Sequence, residues 1–524
     1  MKRIFKYTIT TVFACTIFLS CSDDYLDLER EAVYSSDNYY NSEERAIEAL
    51  TVAYSLLLET YPNHYMENII LIGDLRSDDA EVGGELNNPK PYRVDLNEFN
   101  IWGDNVACSR TWIAGFTGIR RATVAIETIN TIPTNKFSSP ALKKRLMAEA
   151  YFLKALNYQY LVKAFGKLPL IDHVLSPEES DMKRAEVSEV YALIKNDLDT
   201  AIKYLPWQSD YASSDLGRAS KGAAIYLKTN VLIHEAKTDK NHPNWQEAYD
   251  LAHELVLGDK ADKEYELLDK YLDIWKMGNE YNKESMFEIV NDGRLNVPTS
   301  VWYHCFLHPR WVVGENGEPV ASRWGWSNIV PSQNLVDAFE PDDPRFEHSI
   351  YKEGDSLLIG EANAENPGPR LLWFDPNQTG YYRKKLVFEE NTVFTGYYVD
   401  LNIMLFRYAD LLLYFAESAY YVGKEDEARQ ILNKVRKRAR EGDESVLPDR
   451  TSSGEQLLKD IWHERRVELS LEHHRFFDLV RQGRAAEVIT KYGKNFEKGK
   501  HELLPLPEGE VALAPSLLPN NPGY

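Results

Sequence analysis

Four tryptophans, Trp302, Trp311, Trp324 and Trp326, share a stretch of 25 residues with Tyr303 and Phe306. Six aromatics there are twice the 12% of the whole chain, and they sit among Pro309, Gly314, Gly317, Pro319 and Gly325. Neither a helical nor a strand period runs through "SRWGWS" at Ser322–Ser327. Large rings outside a regular core are suited to stacking. The face of an indole is apolar and electron-rich, whereas one or both faces of a pyranose carry C–H bonds, so the two stack. Arg323 and Asn328 supply donors and acceptors for hydroxyls beside those rings. A second stretch, "DLNEFNIWGDNVACSR", reads as a loop offering Trp102, Asn100 and Asn105. The competing reading is structural, because most tryptophans are at least partly buried and these would then pin a loop to its scaffold.

Three other constellations invite chemistry. "GDLRSDDAEVGG" (Gly73–Gly84) combines Arg76 with Asp78 and Asp79 between glycines. Arg76 offers a rigid donor fork. The functional reading is a hydroxyl-binding or calcium-holding loop, although EF-hand spacing is missing; a solvated acidic turn is the simpler reading. "IWHERRVELSLEHHRFF" places His463-Glu464 before Arg465-Arg466-Val467, so the His-Glu-x-x-His of a zinc protease fails at Val467. That helix reads instead as an ion-pair lattice between helical hairpins. His304 and His308 precede Pro309 and lack a third metal ligand. With 81 Asp and Glu in the chain a carboxylate pair for sugar hydrolysis can always be nominated, so it carries no weight. No cofactor is expected.

These residues need a frame. Ala428, Ile431, Leu432, Val435 and Ala439 recur at three- and four-residue steps, giving one apolar stripe. "YADLLLYFAESAYYVG" before them is apolar nearly all round, and Gly423 supplies the turn. Arg407–Arg440 therefore predicts a helical hairpin of tetratricopeptide-repeat length. "LMAEAYFLKALNYQYLVKAFG" with "VSEVYALIKNDLDTAIKYL", and "RASKGAAIYLKTNVLIHEAK" with Ala248–Val256, predict two more. Their small residues let helix axes approach closely. The basic run "KVRKRAR" reads as a solvated face of its helix. The expected fold is mainly α, with a loop-rich insertion at 285–398 containing short strands and closing helices at 404–480.

The N-terminus reads as a targeting signal. Lys2, Arg3 and Lys6 precede an apolar stretch, Tyr7–Leu19, too short to span a bilayer. "FLSC" then resembles a bacterial lipobox with Cys21 as the lipidated first mature residue, and the following "SDD" resembles a surface-export signal of Bacteroidetes. Removing residues 1–20 takes away three cations and no acid, so the net charge moves from −21 to −24. Nucleic acid and anionic membrane surfaces are therefore not expected partners. Cys108 and Cys305 remain, and spacing leaves their pairing open.

Several long segments resemble one family. "GRASKGAAIYLKTNVLIHEA", "VPSQNLVDAFEPDDPRF", "LFRYADLLLYFAESA", "LNKVRKRA", "ERRVELSLEHHRFFDLVRQG" and the final "LLPLPEGEVALAPSLLPNNPGY" are similar to SusD/RagB-like glycan-binding lipoproteins of Bacteroidetes outer membranes. Lys154 stands where that family usually has arginine, and His473 where glycine is frequent, a change expected to affect only a local turn. The resemblance implies tetratricopeptide-like hairpins and an outer-membrane lipoprotein facing the cell exterior. It also implies a surface site for oligosaccharide and a SusC-like TonB-dependent transporter as partner. It divides the chain into a signal peptide (1–20), an N-terminal helical region (21–284) and a C-terminal region (285–524). Its stacking platform falls best on Trp102, Trp302 and Trp326; Trp324, Trp311, Tyr303, Arg76 and Asn105 complete the candidates. Two rival readings stay open: a transporter lid for peptide cargo, and a lipid-anchored glycoside hydrolase.

Overall fold

The computed structural model describes residues 41–58, 65–84, 90–261, 263–291, 301–314, 316–321, 325–359, 368–375, 378–385 and 401–524. It is 54% helix and 8% strand, a mainly helical protein as its periodicity predicts. A first helix, α1 (Glu43–Tyr54), leans on α2 (Val106–Thr131) and α3 (Pro140–Phe165). Gly115 and Gly118 make the α2–α3 approach possible: a Cβ at either would lie 2.6 Å from Leu161 Cγ or 2.4 Å from Asn157 Oδ1. The helix α3 starts where Ser139 accepts the Leu142 N–H and Pro140 presets the first turn.

Hairpins follow in the expected order. α3 packs on α4 (Val187–Tyr204), α5 (Lys221–Ala236) on α6 (Asn244–Val256), and α7 (Tyr408–Tyr421) on α8 (Glu425–Ala439). Gly423 turns the last pair at φ +80°, a conformation that favours glycine. Trp245 of α6 stacks on Tyr421 of α7 at 3.9 Å and 15°, joining two hairpins. Glu425, Asp426 and Glu427 open α8 while Arg436, Lys437 and Arg438 close it, matching the helix dipole. Beyond α8 comes α9 (Gly454–Glu468).

The stretch between α6 and α7 is tied down by short strands. β1 (Ala80–Val82) pairs antiparallel with β3 (Ile329–Pro331), Ala80 opposite Pro331. β2 (Ser285–Ile289) pairs antiparallel with β4 (Ile403–Arg407), Ile403 opposite Ile289. One apolar core runs from Ala46 to Leu517, and a smaller one of Val312, Val330, Tyr351, Leu357, Leu372 and Tyr382 lies between the strands.

The predicted ion-pair lattice is present, and larger than predicted. Glu468 receives Arg345 at 3.0 Å and Arg407 at 2.6 Å, and also pairs with Arg438. Arg436 bridges Glu340 and Glu464, at 2.7 and 2.8 Å. The basic run of α8 is therefore not a solvated face: Arg436, Arg438 and Arg440 are all buried. A guanidinium at such a position is tolerated because a carboxylate meets each fork, for Arg440 the nearby Glu444 and Asp449. Lys154 pairs with Asp197 at 3.2 Å in the buried α3–α4 seam.

Candidate functional site

Trp102 is exposed, with 54% of its surface open. Its indole N–H donates to Asn100 Oδ1 at 3.3 Å, and the Lys500 ammonium lies 5.1 Å from the ring. Buried Ile101 on one side, and the Gly103 carbonyl accepting Glu508 N–H at 3.0 Å on the other, fix the backbone. The stretch around it is less of a loop than its sequence suggests. Pro91–Glu98 is a helix, and Asn105 is the N-cap of α2. Asn105 accepts the Ala107 N–H at 2.9 Å and donates to the Tyr92 carbonyl at 3.1 Å. Both ends of its amide hold the fold, so Asn105 is corrected from ligand contact to cap.

A chain of contacts leads from this cap to the insertion. Arg93 follows Tyr92 and donates to Asn328 Oδ1 at 2.7 Å, over the ring of Phe306. Asn328, expected to catch hydroxyls, is thereby buried and occupied. Gly83 N–H donates to the Asn328 carbonyl at 3.1 Å. Trp311 donates its indole N–H to the Gly84 carbonyl at 3.3 Å. A side chain at Gly84, φ +101°, would meet Trp326's carbonyl oxygen at 3.3 Å. Trp311 and Trp326 thus gather at the Gly83-Gly84 turn, both half-buried, with Trp326 packed on the main core. Arg310 lies 5.0 Å from the Trp311 ring. Trp324, Arg323, Cys21 and the side chains of Trp302 and Cys305 lie outside the described residues.

Tyr92 is a half-buried aromatic that sequence reading missed; its hydroxyl donates to Glu67 Oε1 at 3.0 Å, with Arg93 and Arg110 at 5.2 and 5.9 Å from the ring. Nothing in "NPKPYRVD" distinguishes it. Its carbonyl meets Asn105, and the next residue, Arg93, meets Asn328.

Two further candidates are corrected by burial. Tyr303 is 1% exposed, and its hydroxyl bonds His473 Nε2 at 3.2 Å. Arg76 is fully buried; it donates to the His501 carbonyl at 2.6 Å and lies 4.1 Å from the Phe476 ring centre. It fastens the C-terminal segment and presents no fork to solvent. The acidic turn beside it is not solvated either. Asp78 accepts from Arg475 at 2.8 Å and Arg466 lies 3.1 Å away, while Asp79 accepts from Arg466 at 2.6 Å. Those guanidiniums occupy the oxygens that a calcium ion would need. Among the described residues no cluster of three or more His, Cys, Asp or Glu side chains is arranged to hold a metal.

His473 does more than shape a turn. At φ +70° it takes a conformation that favours glycine, yet its side chain is buried with Nδ1 2.7 Å from Asp74 Oδ2. Gly73 is what makes room: a Cβ there would sit 2.2 Å from the His473 carbonyl oxygen. Gly73→Ala should therefore destabilise the protein by roughly 1–3 kcal/mol, as overpacking does, read as a lower urea midpoint at unchanged slope. His304 and His308 are buried; burial pushes the His308 imidazole down to about 4.

The chain is similar to known proteins along most of its length. A model described as the SusD family matches residues 283–524, and one described as "Starch-binding associating with outer membrane" matches 24–229. "SusD-like protein P2" of Formosa agariphila is 26% identical over 99% of this chain and 100% of its own length. "Starch-binding protein SusD" of Bacteroides thetaiotaomicron is 26% identical over 65% of this chain and 64% of its own. A solved "Laminarin binding SusD-like protein" superposes with a TM-score of 0.75 at 28% identity, covering 93% of this chain and all of its own.

Proposed function

The chain belongs to the SusD family, and on that premise we propose that it captures an oligo- or polysaccharide at the surface built around Trp102. The observation that carries this reading is an indole 54% exposed on a backbone fixed from both sides. Tyr92, Trp311 and Trp326, each half-buried, are the further rings assigned to that surface. The platform in this reading keeps Trp302 and Trp324, and gives up Tyr303, Arg76 and Asn105. The similarity to a laminarin-binding protein supports laminarin among the glycans to be tried first.

Capture is non-catalytic, with no cofactor. Cargo passes to a SusC-like TonB-dependent transporter, and acyl chains on Cys21 hold the protein at the outer membrane, facing outward; two or more such chains anchor stably. The description of the family model that matches 24–229 supports that location. Residues 21–284 and 285–524 form its two regions, the second carrying the insertion. Affinity per site is modest, since a solvent-exposed sugar exchanges hydrogen bonds with water for similar ones with protein.

The test is a survey of plant, host and microbial polysaccharides by affinity electrophoresis and calorimetry, with reducing-sugar release assayed in parallel. Retention of at least one glycan without sugar release is expected. Retention of none overturns capture in favour of the peptide-cargo reading, and sugar release overturns the non-catalytic assignment.

A further inference from the structure

A cavity of about 30 Å³ lies where the insertion meets the scaffold, and Lys163, Arg383, Tyr303, Arg407, His474 and Glu472 are among its walls. That volume holds about two waters. Among the described residues, not all of its polar groups are met. Arg407 and Glu472 satisfy each other, with Glu472 also taking Lys385 at 2.9 Å. Lys163 and Arg383 are met less completely. Arg383 is 2% exposed; its Nε donates to the Lys385 carbonyl, its Nη1 lies 3.9 Å from Asp74, and its Nη2 is buried without a partner. Asp74 already accepts two hydrogen bonds from His473, at 3.0 and 2.7 Å.

Lys163 enters from α3. Among the described residues no carboxylate comes within ion-pair distance of it; the rings of Tyr160 and Phe477 flank its ammonium at 4.9 and 4.5 Å. The acids whose field reaches it are engaged elsewhere, Asp478 by Arg465 and Arg481, and Asp410 by Arg465 and Tyr226. His474 adds a third nitrogen-bearing group, 3.5 Å from Asp410. Lys163 is half-buried, and desolvation of an ammonium outside ion-pair reach pushes it down to about 7.

We propose that this cavity binds a small inorganic anion of halide size, held between the Lys163 ammonium and Nη2 of Arg383. Arg383 belongs to the Tyr382–Arg383 strand of the insertion and Lys163 to a scaffold helix, so the anion bridges the two. Its occupancy steadies the insertion that carries the aromatic residues.

The experiment uses the full chain in sodium gluconate at about pH 6, below the Lys163 value, where the ammonium is charged. Melting temperature is followed as sodium bromide replaces gluconate at constant ionic strength, and crystals grown in the same bromide buffer are measured at the bromine edge. A saturable rise in melting temperature is expected, with an anomalous peak in the cavity. Lys163→Met, which keeps the volume and removes the charge, should bind bromide about tenfold more weakly. A flat titration or an empty cavity in the wild-type protein overturns the proposal, whether or not the variant folds. So does a variant with the wild-type bromide midpoint. A cavity neutralised from within the chain would give that flat titration.

Discussion

Glu468→Ala is expected to lower the unfolding free energy by about 3–5 kcal/mol, the cost of leaving buried charge uncompensated. Glu468 is fully buried and is the one carboxylate shared by Arg345, Arg407 and Arg438. Its removal leaves Arg438 with Glu284 alone, at 2.7 Å, and Arg407 with Glu284 and Glu472, at 2.6 and 2.9 Å. The loss should arise from the stranded guanidiniums more than from missing attraction. Glu468→Leu combined with Arg438→Leu should therefore cost less than the two single changes added together, by about 0.5–3 kcal/mol. Urea unfolding followed by circular dichroism measures all four proteins; strict additivity would remove the shared-charge account.

The same cluster sets the acid limit of the fold. Burial alone would raise the Glu468 and Glu472 carboxyls, but the guanidiniums around them overcome it, holding Glu468 well below the glutamate range and Glu472, with Lys385 helping, at about 2. A carboxylate depressed in the folded state contributes stability that is complete above its unfolded pKa of about 4.3. That contribution declines as pH falls toward 2. Glu468→Gln, uncharged at every pH, should flatten this part of the stability profile.

The hairpins were legible because their signal is local. Ala428, Ile431, Leu432, Val435 and Ala439 recur every three or four residues, and all five are buried. Arg436 and Arg438 share that helix and misled, since burial of their guanidiniums depends on Glu284, Glu340, Glu464 and Glu468 arriving from elsewhere in the chain. Tyr303 misled for the same reason. It lies one residue from Trp302 in an aromatic-rich stretch, but its burial is decided by His473, 170 residues onward. Asn105 carried a local signal that was read too narrowly. An asparagine before "VACSRTWIAG" suits a helix N-cap as well as a sugar contact, and α2 runs from the next residue. Trp102 was legible by type and neighbours; its exposure was not.

Trp102→Ala is expected to weaken glycan binding about tenfold or more, near the 1.4 kcal/mol scale of a well-placed ring contact, while stability changes by no more than about 0.5 kcal/mol. The separation follows from how the ring is mounted. Its hydrogen bond is to the neighbouring Asn100 and its flank is the Lys500 ammonium, so little of the core depends on it. Trp326→Ala is the contrasting change. That ring packs on the main core, so binding and melting temperature should fall together. Trp102→Phe, which keeps a smaller apolar face, should recover part of the affinity lost by alanine. Unaltered glycan retention in Trp102→Ala would mean that sugar lies elsewhere on the molecule. Equal loss of stability in the Trp102 and Trp326 variants would mean that the exposed indole supports the fold, and stacking at this surface would lose its basis.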